Sequence, residues 1–233
     1  IFEFGKIYKR NLVATKATGV KNYFEEKHLA IFTTGKMNVE NWNSNDIKAD
    51  FFAVKGFVES IIKRLGINRK DINMVESRSD DFAYTFNYVV NDTVVISIGE
   101  VSKKLLKAFD IKQRIYVADF NWDKVINLVP KHDITYKPIS KFPAVRRDLA
   151  LIVDKAVTFE SLKKIAFNAE RKILKEVGIF DIYQGDKIPE GKKSYALSFI
   201  LLDENKTLTD KIIDKAMKRI QQALEKEVGA QLR

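Results

Sequence analysis

Two adjacent arginines, Arg146 and Arg147, sit at the junction of the tract Lys141-Phe142-Pro143-Ala144-Val145-Arg146-Arg147-Asp148-Leu149-Ala150-Leu151-Ile152-Val153. Guanidinium groups remain charged and present a planar fork of donors that suits phosphate, so the chemistry on offer is anion binding. Lys192 and Lys193, with Ser194 beside them, and Lys206 add cations in loop-like stretches, where ordinary solvation is the competing reading. Proton transfer and metal ligation find less support. The two histidines, His28 and His132, lie far apart and form no His-x-x-x-His pair. The absence of cysteine excludes thiolate chemistry and disulfides. Gly5, Gly19, Gly35, Gly56, Gly66 and Gly99 are isolated, so no glycine-rich phosphate cradle forms. Asp80 and Asp81 beside Ser79 read as solvated turn residues, and no active site is assembled in the first half.

Composition supports this reading. The chain has 233 residues, 45% of them hydrophobic, enough for one large or two small cores. Forty-one Lys plus Arg against 31 Asp plus Glu leave a formal charge of +10, which favours an anionic partner. No apolar run approaches the roughly 20 residues that span a bilayer, and no signal peptide opens the chain. The start at Ile1-Phe2-Glu3-Phe4, without Met, suggests a piece of a longer protein, and the lack of cysteine fits a reducing cytoplasmic location.

In the first half, strands are expected around Phe2 to Tyr8 and Leu29 to Gly35, with the segment Asn11 to Lys27 as connection and Met37 to Lys48 as a surface loop. Asp50 is placed to cap a helix carrying Val54, Val58, Ile61, Ile62 and Leu65, with Gly66 as its stop. Phe82 to Val90 and Thr93 to Ile98 alternate around a two-residue turn, Asn91-Asp92. A basic helix from Val101 to Phe109, a strand from Ile115 to Phe120 and a short helix through Leu128 complete an α+β half.

The second half is more regular. The strand Arg147 to Val153 leads to a helix capped by Thr158, with Leu162, Ile165, Ala166, Ala169, Ile173, Leu174 and Val177 on one stripe and Gly178 as its stop. Strands Ile179 to Tyr183 and Ser194 to Leu202 follow. Thr209 then caps a helix bearing Ile213, Ala216, Met217, Ile220, Leu224 and Val228, Gly229 ends it, and a last short strand closes the series. The order βαββαβ is that of a ferredoxin-like fold, with both helices on one face of a four-stranded sheet. Tyr195, Leu197, Phe199 and Leu201 should lie under the helices and Ser194, Ala196, Ser198 and Ile200 on the open face. That face either admits another molecule's backbone or packs on a neighbouring domain. Because adjacent strand residues face opposite ways, one of Arg146 and Arg147 reaches it and the other is free to bridge Asp148 or Asp181.

The tracts Ile139 to Ala150, Phe180-Asp181-Ile182-Tyr183-Gln184-Gly185, Gly191-Lys192-Lys193-Ser194 and Lys206-Thr207-Leu208-Thr209-Asp210 resemble the ferredoxin-fold anticodon-binding domain of bacterial phenylalanyl-tRNA synthetase β subunits. Phe2 to Tyr8, Asp50 to Gly56 and Ile98 to Val101 resemble the class II catalytic-like module of the same subunits. The resemblance implies an α+β fold: an antiparallel class II synthetase-like domain over 1–130, a linker over 131–142, and a ferredoxin-like anticodon-binding domain over 143–233. It implies a tRNA-binding and scaffolding role in attaching phenylalanine to tRNA(Phe). ATP and Mg2+ serve the whole enzyme, an (αβ)2 assembly whose chemistry is on the α subunit, and no cofactor belongs to this portion. Given the tRNA-binding role, phosphate positioning by cations makes Arg146, Arg147, Lys192, Lys193, Ser194 and Lys206 the residues expected to contact RNA. The sequence departs from the family where a His-Pro-Gly tract is missing around Tyr84 to Val90 and where Lys211 replaces an acidic residue. An amino-acid-sensing regulatory module is the alternative that the same fold allows.

The segment from Lys131 to Phe142 holds Pro138 and no helical period, so brief proteolysis should cut there first and leave a stable product starting near Lys141. First cuts elsewhere, with this segment resistant, would contradict the division.

Overall fold

The computed structural model describes residues 1–10, 23–38, 41–43, 46–130, 136 and 138–233. The chain divides into two compact units, Ile1–Ile134 and Thr135–Arg233. His132 and most of the segment 131–137 lie outside the described residues, as does the stretch 11–22 of the expected first connection.

In the first unit the described elements are β1 (Phe2–Arg10), β2 (Tyr23–Thr34), α1 (Phe51–Arg64), β3 (Asn73–Ser77), β4 (Phe82–Val90), β5 (Thr93–Val101), α2 (Lys103–Ala108), β6 (Ile115–Asn121) and α3 (Trp122–Asn127). The strands form one antiparallel sheet in the order β1-β2-β6-β5-β4-β3. The Asp50 side chain accepts from the Ala53 N–H at 2.8 Å, which starts α1, and Gly66 at φ +71° lets the chain leave it. Between these ends Val54, Val58 and Ile62 are buried against Ile96, Ile98, Ala118 and Phe120. Asn91 and Asp92, at φ 46° and 60°, make the tight turn that the right-handed twist of β4 and β5 requires. Tyr88 stands three residues before that turn, and Glu59 links its hydroxyl, which donates at 2.9 Å, to Arg69 at 3.0 Å. Burial and the Glu59 charge together push the Tyr88 phenol well above its ordinary range, burial being the larger cause.

Two features of this unit differ from the sequence reading. Tyr23 to Lys27 is the start of β2 rather than connection, held by ion pairs across to β1, Lys6 to Glu25 at 2.7 Å and Lys9 to Glu26 at 2.5 Å. A strand half that is polar and exposed shows no apolar alternation, so the pattern misses it. The short edge strand β3 was not anticipated either, and its pairing with β4 supplies what its five residues lack in hydrophobicity.

The second unit is β7 (Val145–Asp154), α4 (Phe159–Ala169), β8 (Leu174–Tyr183), β9 (Lys192–Leu201), α5 (Asp210–Val228) and β10 (Gln231–Leu232). Its sheet is antiparallel in the order β10-β7-β9-β8. α4 and α5 pack on each other and on one face of this sheet, where Leu151, Leu197, Phe199, Leu201, Leu162, Ile220 and Leu224 lose all contact with solvent. α5 ends at Gly229 in the left-handed region, as its sequence requires. Thr209 precedes α5 without a side-chain cap, its carbonyl accepting the Ile213 N–H at 3.0 Å.

The helix after Thr158 is shorter than its apolar stripe suggested. It stops at Ala169, and Ile173, Leu174 and Val177 lie beyond it, the last two in β8. The cause is Glu170, 3% exposed, whose carboxylate takes the N–H groups of Lys172 and Ile173 and the Arg219 guanidinium, turning the chain out of the helix. Apolar residues three or four apart then meet the same core from a strand. Gly178 is accordingly no helix stop. It faces Ser198 across β9, and a Cβ there would lie 2.8 Å from the Ser198 hydroxyl. No described helix is long and apolar enough to cross a membrane.

Phe199 is fully buried on the strand at the centre of this ladder. Phe199→Ala should lower the free energy of unfolding by about 3–5 kcal/mol in a denaturant titration followed by circular dichroism. A loss under about 1 kcal/mol would contradict the central place given to this side chain.

Candidate nucleic-acid interface

The alternation of β7 and β9 decides which side chains are free. Leu149, Leu151 and Val153 of β7 and Tyr195, Leu197, Phe199 and Leu201 of β9 turn toward α4 and α5. The intervening residues therefore form the other face: Arg146, Asp148 and Ala150 opposite Ile200, Ser198 and Ala196. β8 adds Glu176 and Gly178 to this face and then bulges between Ile179 and Asp181. The bulge brings Phe180 outward, 56% exposed, with the Arg146 guanidinium carbon 5.1 Å from its ring centre. Farther along, the Arg233 guanidinium lies 5.1 Å from the Tyr183 ring, and the Arg233 N–H donates to the Ala150 carbonyl at 3.0 Å.

Two guanidinium and aromatic pairs thus stand over a floor of glycine, alanine and serine. Arg146 is also forked onto Asp148, with Nε donating to Oδ1 at 2.8 Å and Nη2 to Oδ2 at 3.3 Å. That hydrogen bond first and the charge second raise the Arg146 guanidinium further above its ordinary value. Asp148 keeps its other lone pairs as acceptors, and Asp181, opposite Ala196, is exposed. Such a surface offers planes for stacking and acceptors for ring N–H and amino groups.

The two arginines part company as strand geometry demands. Arg147 points to the helix side, where Nη2 meets Asp210 at the start of α5 at 3.4 Å and Nη1 donates to the Arg146 carbonyl at 3.2 Å. Neither Asp148 nor Asp181 is its partner. Asp148 belongs to Arg146 because residues two apart in a strand share a face.

The remaining expected contacts do not gather at one place. Lys193 is 9% exposed on the helix side, its ammonium donating to the Lys155 carbonyl at 2.7 Å and lying 4.7 Å from the Tyr195 ring centre. Ser194 is buried between its register partners Ile152 and Tyr183. Lys192, half-buried, begins β9, whereas Lys206 is exposed beyond its far end. A strand of this length separates them by roughly 30 Å. Phe180, Tyr183 and Arg233 are not among the residues expected to contact RNA. The signal for the first two was an aromatic pair three apart beyond Gly178, which becomes legible only with the bulge.

In the first unit His28 Nδ1 lies 2.8 Å from Asp119 Oδ1, and its buried Nε2 has no hydrogen-bond partner, with Glu26 3.5 Å away. Glu26 is held below the ordinary carboxylate range, most by its hydrogen bond from Lys9. Among the described residues no group of three or more His, Asp or Glu is disposed to hold a metal ion.

The model of the ferredoxin-fold anticodon-binding domain matches residues 140–233, and that of the phenylalanyl-tRNA synthetase β-chain CLM domain matches residues 1–122. The phenylalanine–tRNA ligase β subunit of Bacteroides thetaiotaomicron is 43% identical over 238 residues, covering 100% of this chain and 28% of that protein. Those of Porphyromonas gingivalis and Bacillus licheniformis are each 34% identical over 235 residues, covering all of this chain and 29% and 28% of theirs. The chain therefore spans under a third of the length of these relatives. A solved pyrrolysyl-tRNA synthetase from Desulfitobacterium hafniense reaches a TM-score of only 0.34 at 15% identity, over 54% of this chain and 39% of that one. None of these similarities favours an amino-acid-sensing module.

Proposed function

Since the chain belongs to the phenylalanyl-tRNA synthetase β-chain family, we propose that it is the tRNA-binding and scaffolding portion of a phenylalanine–tRNA ligase β subunit. In this reading residues 1–130 are a non-catalytic class II synthetase-like module, 131–142 a linker and 143–233 the anticodon-binding domain. Attachment of phenylalanine to tRNA(Phe) takes place on the α subunit of a cytoplasmic (αβ)2 assembly. ATP and Mg2+ belong to that whole enzyme. Among the described residues of this chain no group of three or more His, Asp or Glu could hold the metal ion.

The observation that carries the reading is the Arg146–Phe180 pair on the free face, with the Phe180 ring more than half exposed. Unpaired anticodon bases are recognised singly, by stacking on aromatic or guanidinium planes and by hydrogen bonds to their edges. Phe180 and Tyr183 supply the planes, and Asp148 and Asp181 accept from base donors. The small floor of Gly178, Ala150, Ala196 and Ser198 allows a base to come close to the sheet. Lys206, exposed beyond the far end of β9, and the half-buried Lys192 at its start position phosphates without reading sequence. Arg147, Lys193 and Ser194 support this face from within the fold, Arg147 through Asp210 and Lys193 through the Lys155 carbonyl.

Phe180→Ala and Arg146→Ala should each weaken binding of a tRNA(Phe) anticodon stem-loop by the 233-residue chain, Phe180→Ala by about 1–3 kcal/mol. Arg147→Ala should leave that affinity within about two-fold while slightly lowering the melting temperature, because its partner Asp210 is exposed. Fluorescence anisotropy with a labelled stem-loop measures both. Undiminished binding by the first two variants, with loss in the third, would reverse the assignment of faces.

A further inference from the structure

The first unit carries a basic cleft that the anticodon-binding reading leaves unused. α2 is anchored by Leu106, which is buried, and Lys103 and Lys107, four apart, share one of its exposed faces. At the end of α2 Asp110 adopts φ 52° and the Ile111 N–H returns to the Leu106 carbonyl at 2.9 Å, so the chain doubles back. The reversal sets Lys112 and Arg114 across from Lys103 and Lys107, and the space between holds about 360 Å3. Two acids also line it. Glu100 is largely buried and lies 3.6 Å from Arg114, and Asp110 is exposed at the turn. Among the described residues Lys103, Lys107 and Lys112 form no ion pair. Phe109, directly after α2 and next to Asp110 of the cleft lining, is 70% exposed.

Unpaired ammonium groups converging on a nucleotide-sized cleft suit a phosphoryl group, and an exposed ring at its rim suits a base. We propose that this cleft is a second RNA contact, in which Lys103, Lys107 and Lys112 hold backbone phosphate and Phe109 stacks on a neighbouring base. It extends the tRNA-binding reading to the first unit and rests on that reading. A free nucleotide shares the phosphate chemistry and is the alternative source. An acidic protein segment would fit the ammonium groups but gives the Phe109 ring no planar partner.

The test uses the 233-residue chain and whole tRNA(Phe) over a series of salt concentrations. Lys107→Ala with Lys112→Ala should weaken binding and flatten the salt dependence by about 1.4 to 1.8 units of slope, the loss of two phosphate contacts. Phe109→Ala should weaken binding about five-fold or more with its slope unchanged, since stacking releases no counterions. Lys63→Ala with Arg64→Ala, removing exposed cations from the last turn of α1, should leave the slope as it was. Circular dichroism confirms that each variant is folded. Wild-type affinity and slope in the cleft variants would overturn the proposal, as would an equal loss in the α1 control, which signals diffuse charge. Saturable binding of AMP that the cleft substitutions abolish, without any effect on tRNA, would move the site to a free nucleotide and overturn the RNA assignment. If Phe180→Ala weakens tRNA binding and the cleft variants do not, only this inference falls. If none of them matters, the tRNA-binding reading falls with it.

Discussion

Burial of one face of the β7–β9 ladder beneath α4 and α5 governs what the second unit can present to solvent. Leu151, Leu197, Phe199 and Leu201 are completely buried there, and at about 1.5–3 kcal/mol for each such side chain the register cannot slip. A shift of one residue would turn Arg146, Asp148 and Ser198 into the core and expose those four. The strand period therefore fixes the outward set as firmly as the core fixes the inward one. Function on the free face is a by-product of that constraint: small residues where β7, β9 and β8 lie side by side, with planar and charged groups at the margins.

The same logic separates the cations by role. The cations on the helix side are each tied to a group of this fold, Lys193 to a buried-side backbone carbonyl and Arg147 to the exposed Asp210 at the start of α5. A cation on the free side is spared that need. Arg146 nevertheless keeps Asp148, which holds its guanidinium plane against Phe180 and limits the rotamers it would otherwise lose on binding. In the first unit α1 covers one side of the sheet in a similar way, and Asp50 and Gly66 set its limits.

Elements with an unambiguous period and marked ends were legible in the sequence: α1 between Asp50 and Gly66, α5 up to Gly229, and the β4–β5 turn at Asn91-Asp92. The βαββαβ order and the inward set of β9 followed from those signals and match the structure. What escaped had tertiary causes. The end of α4 depends on Glu170 being drawn inward by Arg219, a contact between residues 49 apart. The outward turn of Phe180 depends on a bulge, which shifts the face of every later residue in β8. Lys193 reads as a loop cation until β9 is seen to begin at Lys192, which puts it on the buried side. Of the six residues proposed for RNA contact, the structure leaves Arg146, Lys192 and Lys206 facing solvent to some degree on or beside the free face. Strand alternation alone separates Arg146 from Arg147, but the placing of Lys193 and Ser194 needs the start of β9.

On the proposed function, RNA occupies the face of the second unit opposite α4 and α5. Hydroxyl-radical footprinting read by mass spectrometry tests it directly, because each face carries reactive side chains that are partly open to solvent, Phe180 and Tyr183 on one and Met217 of α5 on the other. Saturating tRNA(Phe) should slow oxidation of Phe180 and Tyr183 and leave Met217 at its free rate. Protection of Met217 with Phe180 and Tyr183 unchanged would contradict the account.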